Sequence, residues 1–101
     1  LYEKDRDAGR LEKMADDLTA ALAILDQRRQ SLIFADGPTP LFERDYWATW
    51  LQYLEVLKAR RMCERVVLLI SSRRLMAGGE TAAFAPTSLQ NRFDQLEKDC
   101  Q

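Results

Sequence analysis

The sequence predicts an all-α protein in which a long antiparallel helical hairpin carries a short third helix. Apolar residues recur at helical three- and four-residue spacing. The stretch 41–76 contains neither glycine nor proline, and apart from Gly9 these residues concentrate in two breaks, at 36–40 and 78–86. A chain of 101 residues is close to the commonest domain size, so we expect one domain over residues 1–101.

The first predicted helix spans residues 3–34. Its apolar positions share one face: Leu11, Met14, Leu18, Leu22, Leu25 and Leu32. Acidic residues dominate its first half, whereas Arg28 and Arg29 lie near its end, in agreement with the helix dipole. An antiparallel neighbour would place this acidic start beside the basic end of the second helix. Opposite charges are therefore expected to set the register of the hairpin.

The second predicted helix spans residues 40–76, after a turn at 36–40. Thr39 is a plausible N-cap and Pro40 suits the first helical position. Its apolar stripe moves to the opposite side, by about 160°, near residues 58–61. Either the helix breaks there, or one continuous helix packs its two halves against different neighbours, and we favour the continuous helix. A buried strand over 66–70 is the weaker alternative, because no other segment alternates like a partner strand.

The third predicted helix spans residues 88–100, after a loop at 77–87. Thr87 and Gln90 have the spacing of a capping box, in which Gln90 reaches back to the N–H of the cap residue. A narrow apolar stripe should lie against the hairpin: Leu89, Phe93, Leu96 and Cys100. Three helices leave part of the split apolar surface of the second helix uncovered. A two-fold homodimer is the simplest way to complete the core.

The composition excludes several classes of function. The chain has no histidine, so Ser-His-Asp and Cys-His catalytic arrangements are excluded, and we predict no catalytic residue and no enzyme. Two cysteines without histidine cannot complete a structural zinc site, and no glycine-rich phosphate loop is present, so no metal or cofactor is expected. A net charge of −1 argues against a globally basic nucleic-acid module.

An aromatic cluster in the second helix is the most informative candidate surface. Both tryptophans and two of the three tyrosines lie between residues 46 and 53. Such residues dominate interfaces but also fill cores, and core packing against Leu25, Leu32 and Phe34 is the competing interpretation. With the second apolar face, the predicted partner-binding residues are Tyr46, Trp47, Trp50, Tyr53, Met62, Val66, Leu69 and Ile70.

A basic segment and two cysteines are the remaining candidates. Residues 55–74 contain six cationic side chains, namely Lys58, Arg60, Arg61, Arg65, Arg73 and Arg74. They could bind a phosphate backbone, but helical geometry scatters them, which favours solvation and pairing with the acidic first helix.

Cys63 and Cys100 either pack as small apolar residues or form a disulfide that fastens the last helix to the hairpin.

We therefore predict a non-enzymatic helical interaction protein, such as an adaptor, an assembly subunit or a small chaperone. It would bind a protein partner or itself, most simply as a homodimer. The alternative is a nucleic-acid-associated or regulatory helical protein that uses residues 58–74. The longest run of large apolar residues, 66–70, is far too short to span a membrane. The chain starts at Leu1 rather than Met, so we expect a fragment without its native N-terminus. Its first residues lack the basic and apolar regions of a secretory signal, and we expect a cytoplasmic location.

Overall fold

The computed structural model describes the backbone of residues 2–37 and 39–101, and the side chains of 9–37 and 39–101. The described chain is all-α, as predicted, and has no strand in these ranges. Its helices are α1 (Tyr2–Phe34), α2 (Pro40–Ala59), α3 (Cys63–Ala77) and α4 (Thr87–Cys100). The alternative of a strand at 66–70 is therefore wrong. Within the same ranges, no helix combines the length and the apolar character needed to cross a membrane.

Helix α2 lies at the centre of the packing. It contacts α1, α3 and α4, and α3 also contacts α4, whereas α1 contacts only α2 in the described part of the chain. Helices α1 and α2 run antiparallel, since Asp26 meets Tyr46 and Arg29, one turn further along α1, meets Glu43. One side of α2 therefore faces α1, and the other side forms the main core with α3 and α4.

The predicted start of α2 is confirmed. The Thr39 side-chain oxygen Oγ1 accepts a hydrogen bond of 3.1 Å from the backbone N–H of Phe42, and Pro40 occupies the first helical position. The preceding helix ends where Gly37 adopts a φ of 81° and its N–H donates to the Leu32 carbonyl at 2.7 Å. Glycine takes this conformation without steric penalty.

The predicted continuous helix over 40–76 is wrong, because the chain turns between α2 and α3. Arg61 has a left-handed φ of 64°. Its N–H donates to the Lys58 carbonyl, and the N–H of Met62 donates to the Leu57 carbonyl, both at 2.9 Å. This pair of bonds is a Schellman motif, which usually has glycine at the left-handed position. The two apolar stripes thus belong to two helices that both face the core.

Replacing Arg61 with glycine should stabilise the protein by up to about 1 kcal/mol, because glycine lacks the Cβ that makes positive φ unfavourable. Arg60 provides a matched control, since its φ of −82° is ordinary for any residue. We expect Arg60→Gly to lower stability. Urea unfolding of both variants measures the difference, and a loss of stability in Arg61→Gly would contradict this account of the turn.

The main core brings together side chains from α2, α3 and α4. Its buried members are Tyr46, Trp47, Leu51, Leu54, Leu57, Val66, Ile70, Leu89, Phe93 and Leu96. The predicted stripe of α4 thus packs inward, with Cys100 partly buried at its end. The predicted capping box is not formed, because Pro86 is the N-cap residue and makes no side-chain cap. Instead, Gln90 Oε1 accepts hydrogen bonds from the N–H groups of Phe84 and Ala85 at 2.9 and 3.0 Å.

The predicted charge register of the hairpin also requires correction. Among the described residues, the ion pair between α1 and α2 joins Arg29 to Glu43 at 2.7 Å, near the turn. The described acidic residues in the first half of α1 pair with none of the arginines that follow α2. The chain break redirects α3 toward α4, so the basic segment does not run along α1.

Candidate functional site

A groove runs between α1 and α3 over the surface of α2. No Cα atoms of α1 and α3 approach within 8 Å of each other in the described chain. We call this feature the α1–α3 groove. Its volume is about 300 Å³, and its lining consists of Thr19, Leu22, Ala23, Asp26, Trp50, Tyr53, Arg65 and Leu69. The lining is mostly apolar, with one carboxylate on α1 and one guanidinium on α3.

Two aromatic rings of α2 form the floor of the groove. Trp50 and Tyr53 pack edge to face, with ring centroids 5.8 Å apart. The guanidinium carbon of Arg73 lies 4.6 Å from the centroid of the Trp50 ring. The Trp50 Nε1 atom is buried near the Tyr46 hydroxyl, outside hydrogen-bond geometry. The contacts with Tyr53 and Arg73 therefore hold the Trp50 ring in a fixed position at the bottom of the groove.

Polar contacts between α1 and α2 fix the α1 wall of the groove. The Tyr46 hydroxyl donates a hydrogen bond to Asp26. Burial, followed by this bond to the carboxylate, raises the pKa of Tyr46 above its usual value of 10.0. One turn away, Glu43 accepts hydrogen bonds from Arg29 and from the Trp47 indole, at 2.7 and 2.9 Å. The wall is thus attached to α2 at two successive turns.

The structure divides the predicted partner-binding residues between core and surface. Four of them are at most 4% exposed and belong to the main core: Tyr46, Trp47, Val66 and Ile70. The other four are partly buried and border the core: Trp50, Tyr53, Met62 and Leu69. Of these, all except Met62 line the α1–α3 groove. The aromatic cluster is therefore partly core and partly groove.

The covering of Trp47 could not be predicted from its own segment. Phe84, in the loop before α4, lies 5.4 Å from the Trp47 ring centroid, and Phe93 of α4 lies 6.2 Å from it. The competing expectation that Phe34 covers the cluster is wrong, since Phe34 is 91% exposed. Only the aromatic character of residues 84 and 93 could have signalled this packing.

The basic segment does not form one surface. Arg74 is only 8% exposed. Arg73 stacks on Trp50, and Lys58 pairs with Asp99 of α4 at 3.3 Å. Arg60 and Arg61 lie in the turn between α2 and α3. These cations make different contacts in two helices and the turn between them, so they give no continuous stripe for a phosphate backbone.

Arg74 connects α3 with the last loop and with α4. Its guanidinium bonds to the Ala82 carbonyl at 3.2 Å, to Asp94, and to Glu97 at 3.4 Å. Burial lowers its pKa, but the bonds to both carboxylates outweigh burial and raise the pKa above its ordinary value, so Arg74 stays charged. Nothing in the sequence distinguished Arg74 from Arg73 as the buried member of the pair.

Acidification should weaken the contact between Arg74 and Asp94. Burial, the largest influence, raises the pKa of Asp94, but hydrogen bonds from Arg74 and Gln90 lower it below 3.8 overall. A carboxylate with a lowered folded pKa stabilises the fold above its unfolded pKa, and this contribution is lost as the pH falls through the folded value. Below about pH 4, stability should therefore decrease more steeply in the wild type than in Asp94→Asn.

Urea unfolding at a series of acidic pH values measures this difference. We expect it to be modest, because the Asp94 side chain is 44% exposed and solvent screens the pair. Asp45→Asn is a suitable control, since Asp45 lies on α2 without an ion pair among the described residues. Equal pH slopes for the wild type and Asp94→Asn would contradict the assignment.

Two further apolar patches lie outside the groove. The first, on the outer face of α3, consists of Leu68, Leu75 and Met76, which are 62–76% exposed. The second, at the turn between α1 and α2, consists of Ile33, Phe34 and Leu41, which are 54–91% exposed. Neither patch combines apolar and polar side chains from three helices, as the groove does.

Comparisons of this chain with protein-family models, with curated proteins and with solved structures returned no match. In the part of the chain that the structure describes, no cluster of three acidic or cysteine side chains has the arrangement of a metal site. The functional proposal therefore rests on the surface of this chain, where the α1–α3 groove is lined by apolar and polar side chains from three helices.

Proposed function

We propose that this protein is a non-enzymatic interaction module that binds an amphipathic helix in the α1–α3 groove. The observation that carries the proposal is the Trp50–Tyr53 floor between two helices whose described Cα atoms stay more than 8 Å apart. Helix-in-groove recognition uses apolar anchors from one face of the partner helix. The occupant is a helix of another protein or of a second copy of this chain, which would make a homodimer.

The size and chemistry of the groove support this type of ligand. Its volume of about 300 Å³ is at the lower end for small-molecule sites, so it suits one or two side chains of a partner. Leu22 and Leu69 supply apolar walls on opposite sides. Arg65 has no ion-pair partner among the described residues, so an acidic residue beside the apolar anchors of the partner would complement it.

Ala23→Arg tests the groove with little risk to the fold, because Ala23 lines the groove and is exposed. Ala48→Arg is the matched control, since Ala48 is an exposed helical alanine in a cleft beside Arg92, away from the α1–α3 groove. Light scattering behind size exclusion gives the mass of each protein over a range of concentrations. If the groove binds a second copy, the wild type and Ala48→Arg should be dimers and Ala23→Arg a monomer.

If the wild type is monomeric, a synthetic helix with leucines at i, i+3, i+4 and i+7 and acidic flanking residues is the probe. Its binding should change the Trp50 fluorescence saturably in the wild type and in Ala48→Arg. We expect Ala23→Arg to weaken this binding at least about tenfold, the effect of losing ~1.4 kcal/mol. A monomeric wild type without saturable binding would contradict the proposal, as would equal effects of both substitutions.

A further inference from the structure

The two cysteines lie close together where α3 begins and α4 ends. Cys63 is the first residue of α3, and Cys100 is the last residue of α4. Both are partly buried and neither is bonded to another cysteine. Cys100 packs against the main core and lines a cleft with Glu64 and Val67, in the first turns of α3. The end of α4 therefore lies on the start of α3.

An ion pair beside the two thiols holds the end of α4 near the start of α3. Lys58, near the end of α2, pairs with Asp99 at 3.3 Å, so the residue before Cys100 is attached to the end of α2, shortly before Cys63 in the chain. The Cys100 thiol lies close to the Cys63 thiol. Burial, followed by this contact, raises the pKa of Cys100 to about 11. At neutral pH the Cys100 thiol is therefore protonated and a slow nucleophile.

We propose that Cys63 and Cys100 are a redox site, which a low-molecular-weight disulfide such as oxidised glutathione converts into an intramolecular disulfide. Neighbouring thiols at the ends of two packed helices need little backbone movement to reach bonding geometry. The bond would enclose α3, the loop and α4. It would fasten the end of α4 to the turn between α2 and α3.

The reaction balances without any other oxidant. The Cys63 thiolate attacks one sulfur of oxidised glutathione, which forms a mixed disulfide and releases one glutathione thiolate. The Cys100 thiol then loses its proton and attacks the Cys63 sulfur, and a second glutathione thiolate leaves. Two protein thiols are oxidised to one disulfide, and one glutathione disulfide is reduced to two thiols. Because burial, the largest influence on Cys100, raises the pKa of its thiol and this thiol must lose its proton, the second step should accelerate as the pH rises.

The bond should stabilise the folded protein, since it restricts the unfolded chain across residues 63–100. We expect Tm to rise by on the order of 10 °C in the oxidised protein. The site is separate from the α1–α3 groove, since neither cysteine lines the groove. The outcome for the disulfide therefore does not depend on the proposed function.

Incubation of the wild type with oxidised glutathione at mildly alkaline pH, followed by alkylation and mass spectrometry, tests the proposal. The expected product is a monomer about 2 Da lighter, with no alkylatable thiol and with a peptide that joins Cys63 to Cys100. Its increase in Tm should disappear on reduction. Cys63→Ser and Cys100→Ser should each stop at the mixed disulfide and lack the redox-dependent change in Tm.

Three results would overturn the proposal: two free thiols after equilibration, a lasting mixed disulfide in the wild type, or disulfides only between molecules. A series of protein concentrations separates closure within one chain from cross-linking, because only cross-linking depends on concentration. Cys63→Ala and Cys100→Ala repeat the measurement without introducing a hydroxyl, in case either serine variant fails to fold.

Discussion

Replacing Phe93 with alanine should lower the free energy of unfolding by about 3–5 kcal/mol, because it removes a fully buried aromatic side chain and leaves a cavity. Phe93 is 1% exposed and lies at the meeting point of three elements. Its ring is 5.0 Å from Phe84 in the loop and 6.2 Å from Trp47 in α2. Domains of this size are stable by roughly 5–15 kcal/mol, so the variant should be near its unfolding threshold at physiological temperature.

Urea unfolding monitored by circular dichroism measures the effect. Phe34→Ala is the matched control, since Phe34 is 91% exposed and its loss should change stability by less than about 0.5 kcal/mol. Phe93→Leu should lie between the two, because leucine refills part of the space. Similar losses in Phe93→Ala and Phe34→Ala would show that α4 does not pack on α2 as described.

Local sequence signals predicted most of the helices. Residues close together in sequence predicted the start of α2 and the buried face of α4. The structure contains both, as the Thr39-Pro40 cap and as the stripe of Leu89, Phe93 and Leu96. The turn between α2 and α3 could not be predicted in this way. Its left-handed residue is Arg61 rather than glycine, and tertiary packing on both sides compensates for the unfavourable φ.

The candidate site was predicted only in part, for a similar reason. The aromatic cluster was identified from composition and spacing, but its division between core and groove depends on residues distant in sequence. Trp47 is covered by Phe84 and Phe93, whereas Trp50 lies between α1 and α3, beside Arg73. Helical spacing places Trp47 and Trp50 on one side of α2. It cannot show which part of that side packs against α1 and which part packs against α4.

Gln90 illustrates how a recognised motif can serve another contact. The spacing from Thr87 suggested that Gln90 caps its own helix. In the structure its amide accepts from the Phe84 and Ala85 N–H groups and donates to Asp94 at 3.0 Å. The N–H groups of a loop that packs against a helix need acceptors as much as those of a helix start do. The loop therefore stays close to α4, because the Gln90 side chain accepts hydrogen bonds from two of its N–H groups.

Arg74→Met should lower the free energy of unfolding by about 2–3 kcal/mol, because removing one member of a buried ion pair leaves its partners without compensation. The guanidinium of Arg74 binds two carboxylates, the Ala82 carbonyl and the face of Phe84. Asp94 is partly exposed and can regain water, so the loss should stay below the 3–5 kcal/mol typical of fully buried pairs.

Arg73→Met is the matched control, since Arg73 stacks on Trp50 and has no ion pair among the described residues. We expect it to cost about 0.5–1 kcal/mol, the contribution of a cation–π contact. Hydrogen exchange adds a local measurement, because Arg74→Met should release the loop and deprotect the amides of Phe84 and Ala85, whereas Arg73→Met should not. Equal losses in the two variants would mean that Arg74 is one more solvated cation. A difference of more than about 1 kcal/mol would show that α3, the loop and α4 are joined through this one side chain.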